Sequence, residues 1–371
     1  IFWRPDEETA EWRRNTFWGS AEHFSLLALR YPSINIRWDR AHPGYCQHQK
    51  SWVIDAARDV GTAFVGGINL NPHSVATPEH RGHHHNHDVY VEVTGPSMVD
   101  VHHNFVQRWN EASDRARSDG RWGERSDTDL AFPIQVPAAR GAALVQIQRA
   151  MHAGRYAVHH TPPGGVPYPI SLGERTINDQ YGAAIQAARR TIYLEHQYME
   201  DTEIVRRIEE ALTRGVQVLA MLPAVPALSA HAGPSSAARA RLAGYAGFTL
   251  CGMAGLDTNG TRTPVYVHSK LLIVDDEWAT VGSCNLHHYS LFGNGELNVA
   301  FTDATSVRAL RIALFREHVG IDTSDLNETD ALILFQRVAN ENRNRHRKND
   351  SDWQGLALSL DVATYGLKPQ F

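Results

Sequence analysis

A histidine and a lysine two residues apart, with an aspartate five residues further on, occur twice in this chain of 371 residues: His48-Gln-Lys50-Ser-Trp-Val-Ile-Asp55 and His268-Ser-Lys270-Leu-Leu-Ile-Val-Asp275. Chance would supply on the order of 0.01 such H-x-K-x4-D matches in this composition. Only four of the 36 basic residues are lysines, Lys50, Lys270, Lys348 and Lys368, and the motif uses two of them. Each copy runs on to small residues and an asparagine, Gly66-Gly67-Ile68-Asn69 in the first and Gly282-Ser283-Cys284-Asn285 in the second. Each then reaches an acid ahead of an apolar strand pattern, Asp88 before Val89 and Glu296 before Leu297. The chain reads as an internal duplication.

These residue types suit a phosphodiester. In a strand, residues i and i+2 face the same way, so His48 with Lys50, and His268 with Lys270, each present an imidazole and an ammonium on one face. Asp55 and Asp275 fall on the opposite parity, which makes them structural anchors. Asp88 and Glu296 are then the carboxylates expected to hold one imidazole nitrogen and leave the other free to react. Packed about a pseudo-twofold axis, the copies would form one composite site of two His, two Lys and two Asn (Asn69 and Asn285). Lysines and asparagines there stabilise the non-bridging oxygens of a pentacoordinate transition state, a task that a metal ion performs elsewhere, so neither metal nor cofactor is expected. Two imidazoles with unperturbed pKa near ~6.5 divide the roles of nucleophile and general acid when their surroundings differ.

The elements that must position these groups alternate along the chain. Helical spacing of apolar residues marks Val101/Phe105/Trp109, Ile177/Tyr181/Ile185/Ala188, Ile204/Ile208/Leu212, Val307/Leu310/Leu314 and Leu332/Phe335/Val338. Strand patterns cover Trp52–Ile54, Thr62–Val65, Val89–Val93, Thr191–Leu194, Val216–Leu222, Val265–Val274, Thr280–Val281 and Leu297–Phe301. The expectation is an α/β fold of two similar α-β-α sandwich halves, residues 1–165 and 166–371, divided near Pro162-Pro163-Gly164-Gly165, with the composite site at their interface. No apolar stretch approaches the ~20 residues of a membrane span. The net charge of −5 provides no global basic field for nucleic acid, so no nucleic-acid partner is expected. Three cysteines without C-x-x-C spacing make neither a disulfide framework nor a zinc site. The opening Ile1-Phe2-Trp3 reads as folded sequence from which a leader or upstream residues have been lost; the compartment is left open.

At these residues the sequence resembles the phospholipase D superfamily, whose signature is the duplicated HxKx4D motif followed by G-G/S and Asn. Further stretches resemble the eukaryotic-like phospholipase D enzymes: Ala63-Phe64-Val65-Gly66-Gly67-Ile68, His87-Asp88, Gly95-Pro96, Asn104-Phe105-Val106-Gln107-Arg108-Trp109 and Ile192-Tyr193-Leu194-Glu195-His196-Gln197-Tyr198. Asn69 and His196 depart from relatives, which often carry Asp and Asn there. The resemblance implies hydrolysis of glycerophospholipids to phosphatidic acid and a headgroup alcohol, with transfer to alcohols, through a phosphohistidine. It implies His48 as nucleophile, His268 as general acid, and substrate contacts from His87, Gln197 and Tyr198. The partners implied are a phospholipid membrane surface or micelle and an acceptor alcohol, without a calcium requirement of the plant type. The alternatives are a nuclease or other phosphodiesterase of the superfamily, or a non-catalytic lipid-binding member.

Three features outside the motif each carry two readings. The His83-His84-His85-Asn86-His87 cluster reads as a solvated loop at the site mouth rather than as metal ligands, with His87 the exception because it matches a position of the resembled family. Arg343 to Lys348 reads as a solvated helix end rather than a contact for anionic lipid. Pro223 to Pro234 reads equally as a lid and as a plain connection.

Overall fold

The structure is a computed structural model that describes residues 1–4, 26, 29–35, 37–40, 44–56, 58–82, 85–112, 129–156, 160–226 and 234–371. His83, His84 and residues 227–233, which fall within two of the sequence readings above, lie outside the described residues.

The first half builds strands β1 (Lys50–Ile54), β2 (Thr62–Gly66), β3 (Asn86–His87) and β4 (Tyr90–Thr94), helix α1 (Met98–Glu111) and strand β5 (Leu144–Met151). Helix α2 (Thr176–Ala187), β6 (Thr191–Glu195), α3 (Thr202–Thr213), β7 (Gln217–Met221), β8 (Phe248–Leu256) and β9 (Arg262–Val267) follow. The chain continues through β10 (Leu271–Val274), β11 (Trp278–Gly282), β12 (Glu296–Thr302), α4 (Ala304–Val319) and α5 (Glu328–Arg347). The five helical spacings read from the sequence correspond to α1 to α5. Each of the last three long helices starts on a side-chain cap: Asp201 accepts from the backbone of Glu203 and Ile204, Asp303 from Ser306, and Asn327 from Asp330. Helix α4 ends at Gly320 with φ of 66°, the left-handed position that glycine adopts without steric cost.

An eleven-stranded sheet runs β3-β9-β8-β7-β6-β10-β11-β12-β5 and then Glu174–Arg175, with Ala357–Ser359 paired to β8. Side-chain alternation gives it two buried faces. Ile192, Leu194, Val218, Ala220 and Leu272 pack under α2 and α3. Tyr193, Leu219, Met221, Ile273 and Val281 pack under α4 and α5. The run from 166 onward is therefore an α-β-α sandwich. In the first half β1, β2 and β4 form a separate three-stranded sheet. Its inner residues Ala63, Val65 and Val93 meet Met98 and Val101 of α1 and Leu297 and Val299 of β12. On the outer face Trp52 and Ile54 stay 44% and 53% exposed.

The boundary near residue 165 needs a correction. Strand β5 precedes it yet pairs antiparallel with β12 over seven registered positions, Leu144 with Thr302 through Ala150 with Glu296. Strand β3 likewise joins β9, with His87 opposite Val267. Both halves thus share one sheet, and the turn at 162–165 divides the sequence rather than two separate bodies. No described helix is long and apolar enough to cross a membrane. The basic run from Arg343 lies in the last turns of α5, where cations complement the helix dipole. None of the three cysteines forms a disulfide among the described residues.

Candidate active site

Each motif starts on a carbonyl from the opposite half. The backbone N–H groups of His48 and Gln49 both donate to Gly295 O at 2.9 Å. Those of His268 and Ser269 donate to His87 O at 2.8 and 3.0 Å. This kink keeps both histidines out of the strands. The apolar run Val265–Val274 is consequently not one strand, because β9 stops at Val267 and β10 starts at Leu271. His48 similarly precedes β1, of which Lys50 is the first residue. The alternation argument for His and Lys sharing a face is replaced by a direct bond: Lys50 Nζ donates to His48 O at 2.5 Å, and Lys270 Nζ donates to His268 O.

The orienting carboxylates also cross between the halves. His48 Nδ1 lies 3.0 and 3.1 Å from the Glu296 carboxylate oxygens and 3.0 Å from Ser283 O. His268 Nδ1 lies 2.6 Å from Asp88 Oδ2. With Nδ1–H donating to a carboxylate, each Nε2 keeps its lone pair for chemistry. Glu296 is fixed in turn by the hydroxyls of Ser283 and Ser290, each donating at 2.6 Å. Ser290, which the sequence reading missed, lies in a short helix whose spacing carries no signal. Asp88 has no such hydroxyl and packs on Gly67, where a Cβ would meet Asp88 Oδ1 at 2.2 Å. Gly-Gly in the first copy and Gly-Ser in the second therefore match a short and a longer acid.

Burial decides the electrostatics. It pushes the His268 pKa down to about 3, assisted by Lys270 and opposed by Asp88. It lowers His48 against the pull of Glu296, with Lys50 and Lys270 assisting. Lys270, wholly inaccessible, falls to about 7 through desolvation, and Lys50 is lowered for the same reason. Each histidine feels both lysines, so the two motifs share one site.

The remaining candidates separate into distinct places. Asn285 is buried and donates to Gln197 Oε1 at 3.3 Å, while its own Oδ1 has no partner. Gln197 Nε2 donates to the hydroxyls of Tyr198 and Tyr266 at 3.1 and 2.9 Å. Asn69 sits half-buried in the turn after β2, where its carbonyl accepts from Asn71 N. His196 is buried and both of its ring nitrogens lack a partner. The motif aspartates share positive φ, 50° at Asp55 and 55° at Asp275. That conformation is several-fold enriched in Asp and Asn, which gives this position of the motif a backbone reason. Only Asp275 anchors anything: its carboxylate accepts from the backbone N–H of Arg189, Arg190 and Thr191 at 2.7–2.8 Å.

His87, expected from the sequence to contact substrate, is buried and paired through both ring nitrogens. It is 3% exposed, with Nε2 at 2.7 Å from Glu195 Oε2 and Nδ1 at 2.9 Å from Glu317 Oε1. It does not sit in a solvated loop, since it forms strand β3. Glu195 also accepts from Tyr193 and Ser269 at 2.6 Å and lies 2.8 Å from His318 Nε2. Burial opposes the His87 imidazolium, but the flanking carboxylates outweigh it and hold its pKa well above the usual range. Two trios here, His80/His87/Glu317 and His87/Glu195/His318, have a donor set and spacing that could hold a metal ion. Their donor atoms are already engaged in His–carboxylate pairs. The sequence carried Glu195 within a quoted stretch but gave no sign of its role, and Glu317 and His318 carried none.

A family profile described as "Cardiolipin synthase, PLD-like domain" matches residues 181–316. Phospholipase D alpha 2 of Oryza sativa subsp. japonica is 24% identical over 416 residues, covering 78% of this chain and 51% of that protein. A probable cardiolipin synthase of Bacillus subtilis is 24% identical over 286 residues, covering 77% of this chain and 47% of that protein. The chain thus spans about half the length of the curated relatives it matches. Among solved structures, NucT from Helicobacter pylori is similar at a TM-score of 0.36 with 16% identity, covering 47% of this chain and 96% of that one. With the duplicated motif at the centre of its site, the chain carries a PLD-like domain over residues 181–316 and is similar over most of its length to relatives named phospholipase D and cardiolipin synthase.

Proposed function

We propose that the chain is a phospholipase D that opens the headgroup phosphodiester of glycerophospholipids and passes the phosphatidyl group to water or an alcohol. The observation that carries this reading is the crossed pairing, His48 with Glu296 and His268 with Asp88, around two buried lysines. His48 Nε2 attacks phosphorus; its side chain is the more accessible of the two, at 24% against 9%. Lys50 and Lys270 neutralise the non-bridging oxygens as charge builds on them. In the free protein burial, assisted by repulsion from Lys270 and Lys50, keeps His268 without its second proton. A phosphodiester anion between them offsets that repulsion, so His268 takes up a proton and delivers it to the departing alkoxide. The resulting phosphohistidine on His48 is resolved by water or alcohol, with His268 now accepting the proton. The relatives named phospholipase D and cardiolipin synthase support the lipid reading.

The test is incubation of the protein, with chelator present, on mixed phospholipid vesicles plus a primary alcohol, followed by mass spectrometry. Phosphatidic acid and phosphatidyl-alcohol, both lost in His48→Ala, are the expected products. Cleavage of nucleic acid or a small diester without either lipid product overturns the lipid substrate and leaves only the phosphodiesterase. Retention of both products in His48→Ala overturns the mechanism.

A further inference from the structure

A cavity of about 1260 Å³ opens beside the second motif. Val225 and Pro226 after β7, Pro264 and Tyr266 of β9, and Leu367 and Phe371 near residue 371 are among its walls. Tyr266 joins it to the site. It lies two residues before His268, with ring centroids 6.3 Å apart, and its hydroxyl accepts from Gln197, the residue that also holds Asn285.

Two physical points identify what belongs there. The first is stereochemical. In an in-line displacement by His48, the departing oxygen is apical and opposite the nucleophile, beside the acid His268, while the other ester oxygen is equatorial. A cavity on the His268 side therefore receives the alcohol partner, both when it leaves and when an acceptor arrives. The second is chemical. No carboxylate side chain is among the described residues lining the cavity, and its one side chain of fixed charge is Lys368, which is the wrong sign for a quaternary ammonium headgroup. Meanwhile Val225 and Leu367 stand 54% and 62% exposed within it, apolar surface that a hydrocarbon would cover.

We propose that this cavity binds the hydrocarbon chain of the alcohol substrate, so that the phosphatidyl group is passed preferentially to alcohols bearing a chain. This rests on the phosphatidyl-transfer reading above. In the transfer step the acceptor oxygen bonds to phosphorus, its proton goes to His268 Nε2, and the phosphorus–nitrogen bond breaks with its electron pair returning to His48.

The experiment uses a short-chain phosphatidylcholine kept below its micelle concentration, so that partition into a bilayer plays no part. Ethanol, butanol, hexanol and octanol are supplied at equal concentration and the phosphatidyl-alcohols are quantified by mass spectrometry. Yield relative to phosphatidylethanol is expected to rise with chain length by up to about fourfold per buried methylene. The octanol-to-ethanol product ratio is expected to fall at least tenfold in both Leu367→Asp and Val225→Asp. A flat chain-length series, or an unchanged ratio in both variants, overturns the cavity's role while leaving the phospholipase D reading intact. Absence of every phosphatidyl-alcohol from the wild-type reaction overturns that reading instead.

Discussion

The two copies of the motif begin alike and are supported differently. Both start on a carbonyl donated by the other half, and both place a lysine ammonium on the carbonyl of the motif histidine. Beneath His48 the support is built on amides braced by one ion pair: Gln49 Oε1 accepts from Asn104 at 2.6 Å, and Arg149 donates to Gln107 and pairs with Glu174. Beneath His268 it is made of charge, with Ser269 tied to Glu195 inside a cluster of three imidazoles and two carboxylates. The first motif's sheet leaves one face open, whereas the second motif's strand lies in a doubly covered sheet. Divergence after duplication has kept the groups nearest phosphorus and rebuilt what stands behind them. The consequence is asymmetric accessibility, 24% at the His48 side chain against 9% at His268, and different surroundings are what two histidines need in order to do different work.

The most direct way to break this comparison is to remove each histidine. His48→Ala and His268→Ala should each lower turnover on phospholipid by more than about 10³-fold. A p-nitrophenyl phosphodiester, whose leaving group needs no proton, should recover the first, nitrophenol-releasing step as a burst in His268→Ala, where resolution of the phosphohistidine still lacks its base, and show no such recovery in His48→Ala. Recovery in His48→Ala alone would reverse the two roles.

Next in size is the contrast between the two supports. Glu195→Gln leaves the His87 imidazolium facing a neutral amide in a buried place, and breaking such a pair costs roughly 3–5 kcal/mol. Gln49→Ala removes a neutral bond on the other side and should cost about 1 kcal/mol. Denaturant midpoints at constant m-value measure both, and equal losses would show that the charged cluster contributes nothing special.

The pH profile tests the same asymmetry. Lys270, lowered by burial to about 7, carries its charge below that pH and loses it as pH rises. The ratio kcat/KM, which reports the free protein and already falls with pH through the need to protonate His268, should therefore fall by a further factor of about ten per unit above pH 7. His48, lowered from its usual value, stays neutral on the acid side, so it sets no limit above the ordinary histidine range. An alkaline limb near the pKa of ~10.4 of an exposed lysine would mean that Lys270 is not desolvated in solution.

Much of this architecture is legible in the sequence, because the duplicated motif is specific and the helices obey a strict apolar period. The two acids can be picked out as well, since each stands just ahead of a strand pattern. What the sequence hides is anything made by a distant carbonyl. The unbroken apolar run Val265–Val274 gives no hint that the remote His87 O bends the chain at His268 and Ser269. For the same reason the sequence does not show that His87 is buried between Glu195 and Glu317, whose charges raise its pKa. Its partners Glu195 and Glu317 lie on β6 and α4, remote in sequence from each other and from His87.

The motif aspartates give the smallest and cleanest test, because the same residue in the same backbone conformation does two different jobs. Asn tolerates positive φ as Asp does, so Asp→Asn changes the charge and one acceptor oxygen while leaving the turn intact. At Asp275 the carboxylate holds three backbone N–H groups at the start of β6, and charged hydrogen bonds of this kind contribute about 1.5–3 kcal/mol. An amide oxygen can replace only part of that set, so Asp275→Asn should lower stability by about 1–2 kcal/mol. Asp55 is half-exposed, and its nearest cation, Arg58, is 3.9 Å away in solvent, so Asp55→Asn should cost less than about 0.5 kcal/mol. Equal effects at the two sites would mean that the shared aspartate is retained for the left-handed turn alone, and that the anchoring seen at Asp275 is incidental to stability.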